Sequence, residues 1–146
     1  MSLTRRTALG LIAATIATPV FAADPVFSTD GMAIRGFDPV AYFTMSKPVK
    51  GDAAISSNWD GANWAFSSAE NKALFDADPE KYAPKYGGYC AFAVSKGATA
   101  PTDPDAWTIH NGHLYLNYST DVRAIWREDI DGNIGKADKN WPGVLN

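Results

Sequence analysis

Cys90 is the residue of this chain with the widest chemical repertoire, and it is the single cysteine. A thiolate binds soft metal ions such as Cu(I), and it acts as a nucleophile when its pKa is lowered. No Lys, Arg or His lies within four residues on either side. A small buried hydrophobic side chain is the plain alternative. Metal ligation, a redox or nucleophilic role, and a structural role therefore stay open for Cys90.

His110 and His113 are the only histidines, and they flank Asn111-Gly112. Asn-Gly between alternating apolar and polar residues predicts a hairpin with a type I′ turn. In that hairpin the two imidazoles lie opposite each other, with Cβ atoms about 5 Å apart. Such a pair can share a Cu(II), Ni(II) or Zn(II) ion. We therefore treat both as candidate metal ligands, with ordinary surface histidines as the alternative.

Aromatic side chains are numerous in the second half of the chain and are candidates for a ligand pocket. The candidate residues are Tyr82, Tyr86, Tyr89, Phe92, Trp107 and Tyr115. The alternative is that they pack in the core. The sequence has no Ser-His-Asp arrangement, phosphate-binding glycine loop, paired catalytic carboxylates or HExxH motif. We therefore predict a non-enzymatic binding protein with no catalytic residue, and an enzyme using Cys90 is the remaining alternative.

The first 22 residues have the features of a signal peptide. Arg5 and Arg6 precede an apolar run over residues 8–22, which ends in Val20-Phe21-Ala22. The pair of arginines is also compatible with twin-arginine export. The run is shorter than the roughly 20 residues that a membrane span needs. We expect cleavage before Ala23, no stable membrane insertion, and a periplasmic or secreted protein.

The remaining residues, 23–146, have a size typical of one domain. Asp and Glu total 16, and Lys and Arg total 13, of which Arg5 and Arg6 belong to the signal, so residues 23–146 carry a net charge of −5. This charge argues against nucleic acid as a partner. A single cysteine also precludes an internal disulfide.

Two hairpins are the clearest predicted elements. Asp60-Gly61 joins strands over 55–59 and 62–66, and Asn111-Gly112 joins strands over 107–110 and 113–116. In the second hairpin, Trp107, Ile109, Leu114 and Leu116 share one face, and Thr108, His110, His113 and Tyr115 share the other.

Short helices are predicted between and after the hairpins. Ser67-x-x-Glu70 is a capping box for a helix through Ala77 with Leu74 and Phe75 facing inward. Residues 86–94 favour a buried helix, with a buried strand as the alternative. Ser119 or Thr120 caps a further helix, and Asp131-Gly132 is a predicted turn before a last short helix. The predicted fold class is α+β, a small antiparallel sheet built from hairpins with several short helices packed on it.

Residues 64–82, WAFSSAENKALFDADPEKY, resemble the second half of the YHS domain. That pattern is similar to aromatic-x-Phe-Cys-Ser-x-x-Cys-x-x-x-Phe-x-x-Asp-Pro-x-x-Tyr, and the two cysteine positions hold Ser67 and Asn71 here. The upstream Asp-Pro-Val-Cys resembles Asp38-Pro39-Val40-Ala41, so a third cysteine is replaced. Residues 86–94, 111–117 and 137–142 also resemble exported, stand-alone bacterial YHS-type proteins.

The resemblance implies a small α+β module, here a single YHS-type domain over residues 23–146, that often occurs in metal-handling proteins. A transition metal, copper first, is therefore the cofactor or cargo that it implies, with Cys90 as the anchor. The alternative is a scaffold that has lost its metal and binds a small ligand or a periplasmic protein.

Overall fold

The computed structural model describes Gly10 and residues 22–146, so nearly all of the predicted signal peptide lies outside the described residues. The described residues form strands β1 Ser28–Thr29, β2 Met32–Ala33, β3 Asp52–Trp59, β4 Ala62–Phe66, β5 Trp107–His110 and β6 His113–Leu116. They form helices α1 Ala41–Thr44, α2 Ala69–Ala77, α3 Pro79–Tyr82, α4 Ala91–Ser95, α5 Thr120–Arg127 and α6 Ile130–Asn140. Single 3₁₀ turns occupy Ile34–Gly36, Lys85–Gly88 and Gly143–Leu145.

The α+β class is confirmed, and the larger sheet is mixed instead of purely antiparallel. Its strand order is β1-β2-β4-β3, and β2 runs parallel to β4 with Met32 opposite Asn63. Strands β5 and β6 form a separate two-stranded sheet. Strands β1 and β2 have two residues each, which is too short for an alternating pattern to predict their pairing.

Both predicted hairpins are confirmed in register. Trp59 lies opposite Ala62, and His110 lies opposite His113. Asp60 and Asn111 have φ values of 51° and 50°, and each is followed by a glycine that also has positive φ. These are the conformations that a type I′ turn requires, and Asp-Gly and Asn-Gly adopt them at little cost.

Helix α2 begins one residue later than the predicted cap. The Ser68 side chain accepts a hydrogen bond from Asn71 N, so Ser68 is the N-cap instead of Ser67. Phe75 is fully buried as predicted, whereas Leu74 is 42% exposed. The prediction that Leu74 faces inward was wrong because Asn71 and Phe75, four residues apart, occupy the inner face of the helix.

Residues 86–94 do not form one helix or one strand. Tyr86 and Gly87 are both left-handed, with φ values of 60° and 63°, and only Ala91–Ser95 is α-helical. A Cβ atom on Gly87 would collide with the carbonyl of Pro25. The N-terminal segment thus passes against the backbone of Gly87, and this close approach replaces the expected helical turn.

The two C-terminal helices are capped by side chains. Ser119 caps α5, as predicted, by accepting a hydrogen bond from Val122 N. Asp129 caps α6 by accepting one from Gly132 N. Asp131-Gly132 therefore lies in the first turn of α6, and the prediction of a chain reversal at this pair was wrong because the upstream Asp129 satisfies the free backbone donor.

The hairpin β5–β6 separates two hydrophobic clusters. Leu114 and Leu116 are buried in the first cluster, with Trp107 and Ile109 packed against it. Tyr115, on the opposite face, is buried in the second cluster with Tyr86, Tyr89 and Trp126. The predicted alternation of this hairpin is therefore confirmed, and both of its faces contact apolar side chains.

The two ends of residues 22–146 lie side by side. Ala23 N donates a hydrogen bond to Leu145 O at 2.8 Å, and the Tyr89 hydroxyl donates one to Asp24 O at 2.8 Å. Among the helices of the described residues, none combines the length and the apolar character that crossing a membrane requires.

The register of α2 can be tested with adjacent substitutions. We expect Phe75→Ala to lower the free energy of unfolding by about 3–5 kcal/mol, because it leaves a cavity in the first cluster. Leu74→Ala should change it by less than about 1 kcal/mol, since this side chain is already exposed. Urea unfolding measures both values, and equal losses in the two variants would contradict the register.

Candidate functional site

A buried carboxylate lies where the first sheet meets α1 and α2. Asp38 has no exposed surface. Its Oδ1 accepts hydrogen bonds from Val40 N and Ala41 N at 2.8 and 3.3 Å. Its Oδ2 accepts from Ser67 N, Ser67 Oγ and Asn71 Nδ2 at 2.8, 2.7 and 2.8 Å. One carboxylate thus holds the start of α1, the end of β4 and the first turn of α2 together.

The positions at which the YHS pattern carries cysteine, residues 41, 67 and 71, all contact this carboxylate. Ala41 offers no ligand atom from its side chain, and the Ser67 hydroxyl and Asn71 amide donate their hydrogens to Asp38. A soft metal requires thiolate, thioether or imidazole ligands. The residues present here do not fit a copper ion, and at the three positions that carry cysteine in the pattern the chain donates hydrogen bonds to Asp38.

Cys90 lies immediately before α4 and is 2% exposed. Its thiol donates to Asn117 Oδ1 at 3.5 Å, and Tyr118 N donates to its Sγ at 3.3 Å. The thiol is free. Asn117 Nδ2, on the same amide, is buried without a hydrogen-bond partner in residues 22–146. The sulfur is therefore enclosed by polar groups of the β6–α5 connection.

His110 and His113 face each other across the turn, as the register predicts. His110 Nε2 lies 3.0 Å from Asp131 Oδ1, at the start of α6. His113 is exposed, and the pKa of its imidazole is lowered by partial burial and then by the charge of Lys85. Over the described part of the chain, no group of three or more His, Cys, Asp or Glu side chains is placed to hold a metal ion.

The six aromatic residues predicted to line a ligand pocket are distributed between the two clusters. Tyr82 belongs to the first cluster, and Trp107 packs against it. The second cluster contains or contacts Tyr86, Tyr89, Phe92 and Tyr115. Tyr86 is the one member of this set that also lines the cleft described below. Burial raises the pKa of Tyr86 and Tyr115, so both rings are neutral at ordinary pH.

A cleft of about 360 Å³ opens where the two clusters meet. This volume is within the range of about 300–1,000 Å³ that is usual for small-molecule sites. Four distant segments line it: Pro25 and Val26; Trp59, Asp60 and Trp64; Glu80 and residues 83–87; and Trp141, Pro142 and Leu145.

The aromatic walls of the cleft form two pairs. The rings of Trp59 and Trp64 have centroids 5.8 Å apart, and those of Tyr86 and Trp141 have centroids 6.0 Å apart. Trp64 and Tyr86 are buried, whereas Trp59 and Trp141 are partly exposed. The left-handed backbone at Tyr86 and Gly87 forms part of the wall, and such conformations are often found at binding sites.

Sequence patterns alone did not predict that Trp59, Trp64, Glu80 and Trp141 would line one cleft. Trp59 and Trp64 belong to the two strands of the first predicted hairpin, and Trp141 belongs to residues 137–142, a segment noted only for its resemblance to YHS-type proteins. The Asp60-Gly61 hairpin places Trp59 and Trp64 side by side, so the proximity of these two residues could have been predicted from the sequence. The approach of the C-terminal segment to this hairpin has no local signal in the sequence.

The role of Asp38 can be tested by replacing one oxygen with nitrogen. We expect Asp38→Asn to lower the free energy of unfolding by at least about 2 kcal/mol, because backbone and side-chain donors lose their charged acceptor. Asp30→Asn is the matched control: Asp30 is exposed in a turn with φ 51°, which Asn tolerates. Urea unfolding measures both, and equal stability of the two variants would contradict the assigned role.

Comparison with protein-family models gives a match to the segment that follows Asp38. The family model of the YHS domain matches residues 40–86, which include all three positions that carry cysteine in the pattern. We found no significant match to a curated protein or to a solved structure. The chain therefore carries a YHS domain at residues 40–86.

Proposed function

We propose that this protein is an exported, non-enzymatic binding protein in which the aromatic cleft holds a small ligand. The observation that carries the proposal is the cleft itself, which has a suitable volume and is lined by Trp59, Trp64, Tyr86 and Trp141. Aromatic walls with a few polar groups at the rim are the usual composition of ligand sites. The signal-like segment over residues 1–22 supports the export part of the proposal.

The position of the cleft relative to the YHS segment supports this assignment. Eight of its lining residues, from Trp59 to Tyr86, lie within the matched region, and Gly87 follows it directly. The others come from the N-terminal and C-terminal segments. The cleft is therefore a feature that the YHS scaffold forms together with the chain on either side of it, separate from the Asp38 network.

Transition-metal handling, copper first, is the second candidate function. YHS domains are often linked to metal handling, and the free thiol of Cys90 is the observation in this chain that favours it. Tyr118 N donates a hydrogen bond to the sulfur. Cu(I) is the ion that would fit a site with one thiolate and few other ligands.

The ligand site can be tested by filling the cleft. Ala83 lines it, and Ala73 is exposed on α2 away from it. The compounds to be tested are small organic cations, neutral aromatic compounds and short carboxylates. We expect at least one of these classes to bind both the unmodified protein and Ala73→Phe. Binding to Ala83→Phe should be weaker by about tenfold or more, because the added ring occupies the space.

Ligand-detected NMR measures this binding, and thermal unfolding checks that both variants fold. Binding of every class at the same strength to Ala73→Phe and Ala83→Phe, or of no class to any of the proteins, would refute the cleft as the ligand site.

The copper hypothesis can be tested with the mature protein, residues 23–146. If Cys90 anchors the ion, Cu(I) titration against a competing chelator should show one site in the unmodified protein and none in Cys90→Ser. The double variant His110→Ala with His113→Ala is the control, because it tests the contribution of the hairpin histidines separately from that of Cys90. Identical titration curves for the unmodified protein and Cys90→Ser would remove Cys90 from any copper site.

A further inference from the structure

The tryptophans of this chain are concentrated at the cleft. Three of the five, Trp59, Trp64 and Trp141, line it together with Tyr86. The face of an aromatic ring carries partial negative charge, and among aromatic side chains the indole ring attracts cations most strongly. Two aromatic pairs at one opening thus provide a surface suited to a positive group that also has apolar substituents.

The polar side-chain atoms of the two buried aromatic residues, Trp64 and Tyr86, already have hydrogen-bond partners within the protein. Trp64 Nε1 donates to Trp59 O at 3.0 Å, and the Tyr86 hydroxyl donates to Asp138 Oδ1 at 2.9 Å. These rings therefore offer their carbon surfaces to a ligand and retain no free donor for an anion or a carbonyl oxygen.

The charged residues at the rim of the cleft determine whether it favours a positively or a negatively charged ligand. Asp60 and Glu80 are exposed at the cleft, and they are accompanied by one cation, Lys85. Among the described residues that line the cleft, the two carboxylates outnumber the single ammonium, so the opening carries a net negative charge.

We infer that the ligand of the cleft is a small organic cation with apolar substituents, of which a trimethylammonium group is the simplest example. The inference rests on the proposed function, since it names the chemical class that the cleft takes. Trp59 and Trp141, the partly exposed rings, contact the substituents around the charged nitrogen. Asp60 and Glu80 supply the long-range attraction, and a compact cation of this kind needs no hydrogen-bond acceptor within the cleft.

A pair of probes that differ by one atom tests the inference. Choline carries a quaternary nitrogen, and 3,3-dimethylbutan-1-ol has the same shape with a neutral carbon in its place. We expect choline to bind residues 23–146 about tenfold more tightly than the neutral compound, because only the former gains the cation–π attraction. Calorimetry measures both affinities, and the three tryptophans provide a fluorescence signal for the same titration.

Charge-neutral variants locate the site. In Asp60→Asn with Glu80→Gln, choline should bind about threefold to tenfold more weakly while the neutral probe is unaffected. Asn accepts the left-handed backbone at position 60. The matched control is Asp121→Asn with Glu128→Gln, two exposed acidic residues at α5, which should leave choline binding unchanged.

The outcomes separate this inference from the proposed function. Equal affinity for choline and its neutral isostere, or no binding of choline, overturns the organic cation as ligand. The cleft remains the ligand site in either case if another compound distinguishes Ala83→Phe from Ala73→Phe. Choline binding that both charge-neutral pairs weaken equally also overturns the inference, because the attraction then comes from the overall charge.

Discussion

The carboxylate of Asp38 is the interaction on which the packing of the YHS segment depends. It is completely buried, and every hydrogen bond that it accepts joins it to α1, to the residue after β4, or to α2. Burying a carboxylate is costly unless donors surround it. Ala41, Ser67 and Asn71, which stand at the cysteine positions of the resembling pattern, all contact this acceptor. Hydrogen bonds to Asp38 therefore hold these segments together.

The second hairpin gives the molecule its two-part core. Because both faces of β5–β6 are covered, one by each cluster, the clusters lie on opposite sides of a thin sheet. The cleft opens at their boundary, where Trp59 and Trp64 from the first cluster approach Tyr86 and Trp141 from the second. A boundary between two packed units is a common place for ligand sites, since side chains from different segments converge there without filling it.

Local patterns predicted the parts of this fold that local forces determine. The hairpins, with Asp60-Gly61 and Asn111-Gly112 at their turns, and the Ser119 cap follow from turn and capping chemistry. The parallel pairing of β2 with β4, the exposure of Leu74 and the left-handed turn at Tyr86 and Gly87 depend on contacts between distant segments. The clearest failure, the helix expected over residues 86–94, lies at the cleft, and conflicts between local preference and structure are expected near binding sites.

The candidate site residues show the same difference between what local patterns predict and what depends on distant segments. Cys90, His110 and His113 were found by residue type, and the structure gives their surroundings without joining them in one group. The aromatic wall was only partly foreseen, through Tyr86, because Trp141 reaches it from the far end of the chain. Residue chemistry is readable from a sequence, whereas the meeting of remote segments is a property of the assembled core.

The bond between Ala23 and Leu145 has a practical consequence for handling this protein. Pro25 and Leu145 both border the cleft, so an affinity tag fused to either terminus of residues 23–146 begins within two residues of a lining residue. A flexible peptide at that place competes with a ligand through its high local concentration. Recombinant material intended for binding work should therefore have its tag cleaved, or inserted at the exposed Lys96-Gly97 turn instead.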